Sequence, residues 1–208
     1  MSITTGGRRY LAWLGTESGY QPLRADLGAV TGYTEISRHR RREVVQITLG
    51  TGLEARNQLR AALSDRGLSY QTVTEIPFEI ELVGSGSARS MFQGCSSLTY
   101  VPDMDTSSVT NMGNMFYDCS ALTTAPVMDT SSATGMRQMF RGCTSLTYVP
   151  ALDTSSVTDM YAMFRVCSSL TDGNVRLIGR HPNVSTEGML LGSGLTRDPF
   201  FDTNGNPI

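Results

Sequence analysis

Four blocks of this chain align without a gap at a spacing of 24 residues. They read MFQGCSSLTYVPDMDTSSVTNMGN from Met91, MFYDCSALTTAPVMDTSSATGMRQ from Met115, MFRGCTSLTYVPALDTSSVTDMYA from Met139 and MFRVCSSLTDGN from Met163, where the pattern dissolves. A unit this short cannot cover its own apolar side. Copies must therefore stack and share one core, with Phe on Phe, Cys on Cys and Leu on Leu.

Within a block the apolar residues Val109, Met112, Phe116 and Cys119 fall at i, i+3, i+7 and i+10. That is the spacing of one helical face, and it predicts a short helix. Asp105-Thr106-Ser107-Ser108 precedes it and recurs from Asp129 and Asp153. Its oxygens can accept from the free amides of a first helical turn, so the run reads as a cap and not as a catalytic serine. Leu98 to Pro102, with its equivalents from Leu122 and Leu146, predicts a short strand ended by a proline that lacks an amide donor. Each repeat is thus expected to be one helix-strand rung, paired in parallel with the next. Met112, Met115, Met136, Met139, Met160 and Met163 fall on the inward face.

Cys95, Cys119, Cys143 and Cys167 occupy one repeat position, which predicts a ladder of small buried thiols. Zinc is disfavoured, because there is no Cys-x-x-Cys and both histidines, His39 and His181, lie outside the repeat. The chain carries no Gly-x-Ser-x-Gly elbow in a strand-turn-helix setting, no phosphate loop and no histidine near a repeat serine. The expectation is a chain that is not an enzyme and needs neither cofactor nor metal.

All 17 basic residues are arginine, and with 19 acidic ones the net charge is -2. That balance argues against a generally basic nucleic-acid binder. Arg38-His39-Arg40-Arg41-Arg42, flanked by Glu35 and Glu43, reads as a solvated loop or, more sharply, as an inter-subunit salt-bridge site. No apolar run has signal-peptide length or approaches the ~18 residues of a membrane span. A soluble chain made in the cytoplasm, without membrane contact, is expected.

The M-F-x-x-C-x-x-L-T...D-T-S-S-V-T-x-M pattern resembles the BspA-type leucine-rich repeats of bacterial, protist and phage surface proteins, over about 80 of the 208 residues. The resemblance implies a leucine-rich-repeat-like solenoid used in adhesion or assembly. It brings no catalytic residues with it.

Outside the repeats, Glu43 to Leu49 alternates as a strand, Leu53 to Ser64 carries Leu59, Ala62 and Leu63 at helical spacing with Gly67 as a stop, and Tyr70 to Leu82 is again extended. This predicts a small β-α-β unit. Residues 76–90 read as a degenerate first turn, and residues 183–196 as a decayed terminal copy acting as a cap, after an irregular insertion at 172–182. The expected class is α+β, with an extended N-terminal arm over 1–37, a small α/β attachment domain over 38–86 and the solenoid with its degenerate cap over 87–208.

Function then falls to two surfaces. Tyr10, Trp13, Tyr20, Arg38, Arg40, Arg41 and Arg42 are the candidates for attachment. Tyr100, Thr124 and Tyr148, one per rung beside the strand, and Arg137, Arg141 and Arg165 near the helix are the candidates for partner binding. The expectation is a phage virion structural protein, a capsid decoration or minor capsid protein. It would dock on the major capsid protein or another virion protein through its N-terminal region, sit at the virion surface and be free to form homo-oligomers. The alternative is a tail-associated or cell-surface adhesin that reads a host protein or glycan.

Overall fold

The computed structural model describes residues 43–202, 206 and 207, together with the backbone of four short strands earlier in the chain. Trp13, Arg38, Arg40, Arg41 and Arg42 lie outside the described residues, as do the side chains of Tyr10 and Tyr20. The chain divides into two compact units, one of residues 1–45 and 77–79, the other of residues 46–76 and 80–208.

In the first unit β1 (Ile3–Thr5) and β2 (Arg8–Tyr10) pair antiparallel, and β3 (Leu14–Thr16) and β4 (Gly19–Gln21) form a second antiparallel pair. Arg9 and Tyr10 also pair with Val44 and Glu43, at the start of β5 (Glu43–Thr48). Strand pairs thus lie within the segment read as an extended arm.

In the second unit α1 (Glu54–Ser64) buries Ala55, Leu59, Ala62 and Leu63. This is the helical spacing legible in the sequence. The helix stops where Gly67 takes φ 69° and Leu68 N–H donates back to Leu63 O, the left-handed ending that glycine permits without steric cost. Later in β5, Gln46 Nε2 donates to Glu81 Oε2 of β6 (Glu79–Val83), and beyond β5 Leu49 N–H donates to Val83 O. The extended run expected over Tyr70 to Leu82 is a strand only at its end.

The repeats stack one on the next. β7 (Gly86–Ser87) pairs in parallel with β8 (Val109–Asn111), and single parallel bridges continue that column through Asn111 to Gly135, Gly135 to Asp159 and Asp159 to Ser185. A second column bridges Glu75 to Tyr100 and Thr124 to Tyr148. In a third, β9 (Leu152–Asp153), β10 (Leu177–Ile178) and β11 (Phe200–Phe201) form a small parallel sheet with β10 in the middle. The architecture is mixed, with short strands in small sheets and α1 as the one α-helix among the described residues.

The interior follows the repeat. Phe92, Phe116, Phe140 and Phe164 are fully buried, their rings parallel within 2–3° and their centroids 5.2, 5.3 and 5.8 Å apart. Strand ladders space rungs by about 4.8 Å, so equivalent rings meet in the offset-parallel arrangement that aromatic quadrupoles favour. The methionines, cysteines and leucines of the repeat form parallel buried files beside them.

The predicted helix does not form. Asn114, Phe116 and Asp118 donate their N–H groups to Arg137 O, Met139 O and Arg141 O one rung on, at 2.8–2.9 Å. Met115, Tyr117 and Cys119 donate back three residues, each at 3.1 Å. A helix would direct every amide along its own axis. Here alternate amides turn outward because Ser90, Asn114, Asp118, Gln138, Ala162 and Val166 take φ between 52° and 64°, with Gly94 and Gly142 at equivalent positions near 80°. The i, i+3, i+7 apolar spacing is satisfied by a chain of tight turns as well as by a helix. The strand expected at Leu98 to Pro102 likewise shrinks to a single bridge per rung.

The Asp-Thr-Ser-Ser run caps no helix either. Asp105, Asp129 and Asp153 accept through Oδ1 from the N–H groups of Ser107, Ser131 and Ser155 at 2.9–3.0 Å, closing Asx-turns. The threonine between is buried, and Thr106 and Thr130 donate their hydroxyls to Asp129 O and Asp153 O of the following rung at 2.8 and 2.9 Å. The run is a turn plus a rung-to-rung bolt.

At the C-terminal side Met160, Phe164 and Val166 donate to Ser185 O, Met189 O and Leu191 O, so the decayed copy stacks as a rung. The stretch read as an irregular insertion supplies β10. Beyond β11, Phe201 bridges antiparallel to Pro207. No helix among the described residues is long and apolar enough to cross a membrane.

Val166 is a β-branched residue at φ 64°, and it is 43% exposed. The left-handed region costs an L-residue roughly 1–2 kcal/mol, more when Cβ is branched. Val166→Gly, which copies Gly94 and Gly142, is expected to stabilise the fold by about 1 kcal/mol and to raise Tm by roughly 2–4 °C. A thermal melt checks this; an unchanged or lower Tm would show that the strain is relieved elsewhere.

Candidate functional site

The partner-binding candidates separate into two groups. Tyr100, Thr124 and Tyr148 sit in the second column, and the tyrosines are 51% and 48% exposed. Arg137, Arg141 and Arg165 belong to the tight turns. The guanidinium of Arg137 lies 4.0 Å over the Tyr161 ring and 3.8 Å from Asp159, and that of Arg141 lies 5.4 Å from the Tyr117 ring. These arginines lie against neighbouring rings, which fixes the direction of their charge at modest energetic worth. Of the attachment candidates only the backbones of Tyr10 and Tyr20 are described, in β2 and β4.

The hydroxyl files between the columns are structural. Thr110, Thr134 and Thr158 donate to Gly86 O, Thr110 O and Thr134 O at 3.2 Å, each reaching 24 residues back. Ser120 and Thr147 do the same toward Ser96 O and Thr123 O. A hydroxyl committed to the neighbouring rung is no nucleophile without a base beside it.

The thiols are equally spent. Cys119, Cys143 and Cys167 donate from Sγ to Phe92 O, Phe116 O and Phe140 O at 3.0 Å. Burial pushes the Cys95 and Cys167 thiols up to about 12, and raises Cys119 and Cys143 well above the ordinary range. Tyr70, buried and donating to Met91 O at 2.6 Å, is also raised, chiefly by desolvation. A folded-state pKa above the unfolded one contributes stability that is complete below the unfolded pKa and is lost as pH rises through the folded value. The four thiols therefore contribute their full stability below pH about 9, and that contribution is lost as pH rises, for Cys95 and Cys167 toward about 12. Ellman's reagent at pH 8 is expected to find no reactive thiol in the native chain and four in denaturant, and Tm is expected to fall as pH is raised above 9. Rapid native labelling would contradict the buried file.

The aspartates act in the opposite direction. Hydrogen bonds from Ser107 and Ser131 hold Asp105 and Asp129 below the usual carboxylate range, so their contribution is lost on acidification. Both are exposed to solvent, and the effect is small. Burial raises Asp118, opposed by the Arg141 guanidinium. Among the described residues no cluster of three or more His, Cys, Asp or Glu is placed to hold a metal ion.

Residues 86–181 match a family model described as "Mycoplasma protein of unknown function, DUF285". The match takes in the four 24-residue blocks, stops short of the rung at Ser185 to Leu191, and leaves more than half of the chain outside it. No curated protein and no solved structure matches the chain.

All six outward candidates fall inside the DUF285 match. So does Val127, which is 62% exposed and was not singled out by its residue type. Val127 occupies the repeat position of Asp103 and Ala151, and its N–H bonds Asp103 Oδ1 at 3.2 Å. It borders a shallow recess of about 360 Å³ beside Asp103, Asp105 and Asp129. Comparing repeat positions by outward direction would have found it. A second polar recess, beside α1, joins residues far apart in sequence that no spacing rule connects.

Proposed function

We propose that this chain is a non-enzymatic structural protein of a phage particle, a capsid decoration or minor capsid protein. It attaches through its N-terminal region to the major capsid protein or another virion protein, and it displays a BspA-type, leucine-rich-repeat-like solenoid at the virion surface. The observation that carries the reading is the file of rungs bonded 24 residues apart, with side chains and half of the turn amides spent on internal stacking. Such a body is a rigid spacer with a periodic outer face, and its hydroxyls and thiols are engaged in holding it together.

A second reading, a tail-associated or surface adhesin, is favoured by Tyr100, Tyr148 and Val127, large side chains left in solvent. Aromatic groups of this kind anchor protein and glycan partners. Copy number and position in purified particles separate the two. Many copies spread over the shell support decoration; a few at the tail tip support the adhesin; absence from particles overturns both virion readings. Removal of residues 1–37 is expected to abolish attachment while leaving the rungs folded.

A further inference from the structure

Four amides of each rung point along the stack. Met136, Gln138, Phe140 and Gly142 donate to Asp159 O, Tyr161 O, Met163 O and Arg165 O at 2.8–3.0 Å. One rung on, Met160, Ala162, Phe164 and Val166 donate to Ser185 O, Glu187 O, Met189 O and Leu191 O over the same range, 2.8–3.0 Å. The equivalent amides of the last copy, at residues 185–193, belong to Thr186, Gly188, Leu190 and Gly192, and no described residue accepts from any of them. Gly188 and Gly192 keep the left-handed φ, 62° and 73°, that aims alternate amides outward in the earlier rungs. Gly192 is exposed and Gly188 half-buried, and the exposed surface of a glycine is its backbone. A Cβ added at Gly188 would meet nothing within 4 Å. This is a row of free donors, the situation of an exposed sheet edge.

The side chains at this end are uncovered as well. Leu190 stands where Phe116, Phe140 and Phe164 are fully buried, yet it is only half-buried. Leu191, at the position of Arg141 and Arg165, is 59% exposed. The terminal unit of a stacked repeat ordinarily turns a polar surface to water; this one turns donors and leucines. A second copy cannot supply the acceptors head to tail, because the opposite end of the file is covered. Ser87 bridges to Gly50, and the Tyr70 hydroxyl donates to Met91 O at 2.6 Å. Met91 O is the carbonyl that Leu190 N–H would need, since Phe116 N–H bonds Met139 O at the equivalent place.

We propose that the end formed by residues 185–193 is a docking edge for a segment of a different protein, which adds itself as one further rung. Carbonyls of alternate residues in that segment accept from Thr186, Gly188, Leu190 and Gly192, and its apolar side chains cover Leu190 and Leu191. Backbone bonding of this kind continues the hydrogen-bonded file already present, as an added strand continues a sheet. It asks the partner for a left-handed-tolerant residue such as glycine or asparagine at every fourth position, with apolar residues between. The edge does not depend on where the protein is displayed.

A synthetic peptide of residues 133–150 is a suitable probe, because it carries Gly135 O, Arg137 O, Met139 O and Arg141 O, the carbonyls that Met112, Asn114, Phe116 and Asp118 use inside the stack. Amide hydrogen exchange of the full chain, under reducing conditions with and without the peptide at about 1 mM, reads the edge. In the free chain the amides of Thr186, Gly188, Leu190 and Gly192 are expected to exchange at least about a hundredfold faster than those of Gln138, Phe140 and Gly142. The peptide is expected to slow these four about tenfold, and a scrambled peptide to leave them unchanged. Leu191→Glu, at an exposed position, is expected to weaken peptide binding about tenfold without altering the melt. Four amides already as protected as those of the inner rungs, no slowing by the peptide, equal slowing by the scrambled one, or unchanged binding in a folded Leu191→Glu protein would overturn the proposal. So would sedimentation that shows the chain alone growing into filaments, which would make a second copy the occupant.

Discussion

Deleting Met115 to Gln138, one complete 24-residue unit, is expected to leave a folded protein one rung shorter, while deleting half that length, Met115 to Pro126, abolishes folding. The reason is register. Each kind of stacking interaction in the rungs recurs at a fixed offset: Phe on Phe and Thr134 Oγ1 on Thr110 O join residues one repeat apart, and Asn114 N–H on Arg137 O joins residues one short of it. Removing a whole unit places Met139 behind Asn114, where Met115 stood, and the next rung meets Phe92 with Phe140 in place of Phe116. The loss is one rung and one interface, because nearest-neighbour terms dominate a stacked repeat. Tm is expected to fall by several degrees with the shape of the circular dichroism spectrum kept. The half-length deletion instead puts the Asp-Thr-Ser-Ser turn where the Met-Phe turn belongs. Buried carbonyls then lose their partners while apolar residues face water, and no shift of the remaining chain repairs both. Similar melts for the two deletions would mean that the rungs do not depend on register.

Phe116→Ala is expected to be the most damaging single substitution in the rungs. The ring is fully buried between Phe92 and Phe140, with stacked neighbours at 5.2 and 5.3 Å. Truncating a buried Phe costs about 3–5 kcal/mol through lost transfer energy and the cavity left behind. A collapsing neighbour cannot fill this cavity, because the rungs above and below are held at ladder spacing by Phe92 N–H on Met115 O and Phe116 N–H on Met139 O. Against a total stability of about 5–15 kcal/mol, the loss lowers Tm by roughly 10 °C or unfolds the chain at growth temperature. Phe116→Leu is expected to lose about a third as much, and Tyr148→Ala, at a half-exposed position, less than about 0.5 kcal/mol. Chemical denaturation of the three variants checks the order; equal costs for Phe116→Ala and Tyr148→Ala would refute the continuous aromatic file.

The core was legible because it is periodic. A Met-Phe, a Cys and a Leu recur every 24 residues, and each is buried as the spacing required. Helix α1 was legible for the same reason, with Gly67 marking its end. The helix inside each repeat was a misreading, since apolar periodicity reports which side faces inward and not where the amides point. The contrary signal was the residue every fourth position: Asn114 and Asp118, with glycine at 94 and 142, are the types that accept left-handed backbone. Asp-Thr-Ser-Ser was ambiguous in the same way, because an Asx-turn and a helix cap use identical side-chain oxygens. Burial of Thr106, Thr130 and Thr154 decides between them, and burial depends on the neighbouring rung. The exposed tyrosines of the second column could be read from residue type and position. The recess formed by Arg56, Arg89 and Asn114 could not, because it exists only where three distant segments meet.

A column of parallel bridges has two open ends, and identical rungs would let one molecule continue where another stops. Head-to-tail joining of that kind does not close on itself and runs on into filaments. The bridge of Phe201 to Pro207 meets this hazard at the β11 end: the chain doubles back antiparallel, and it presents a residue with no N–H to lend. At that end the column is closed to a second copy, and separate molecules are favoured over filaments.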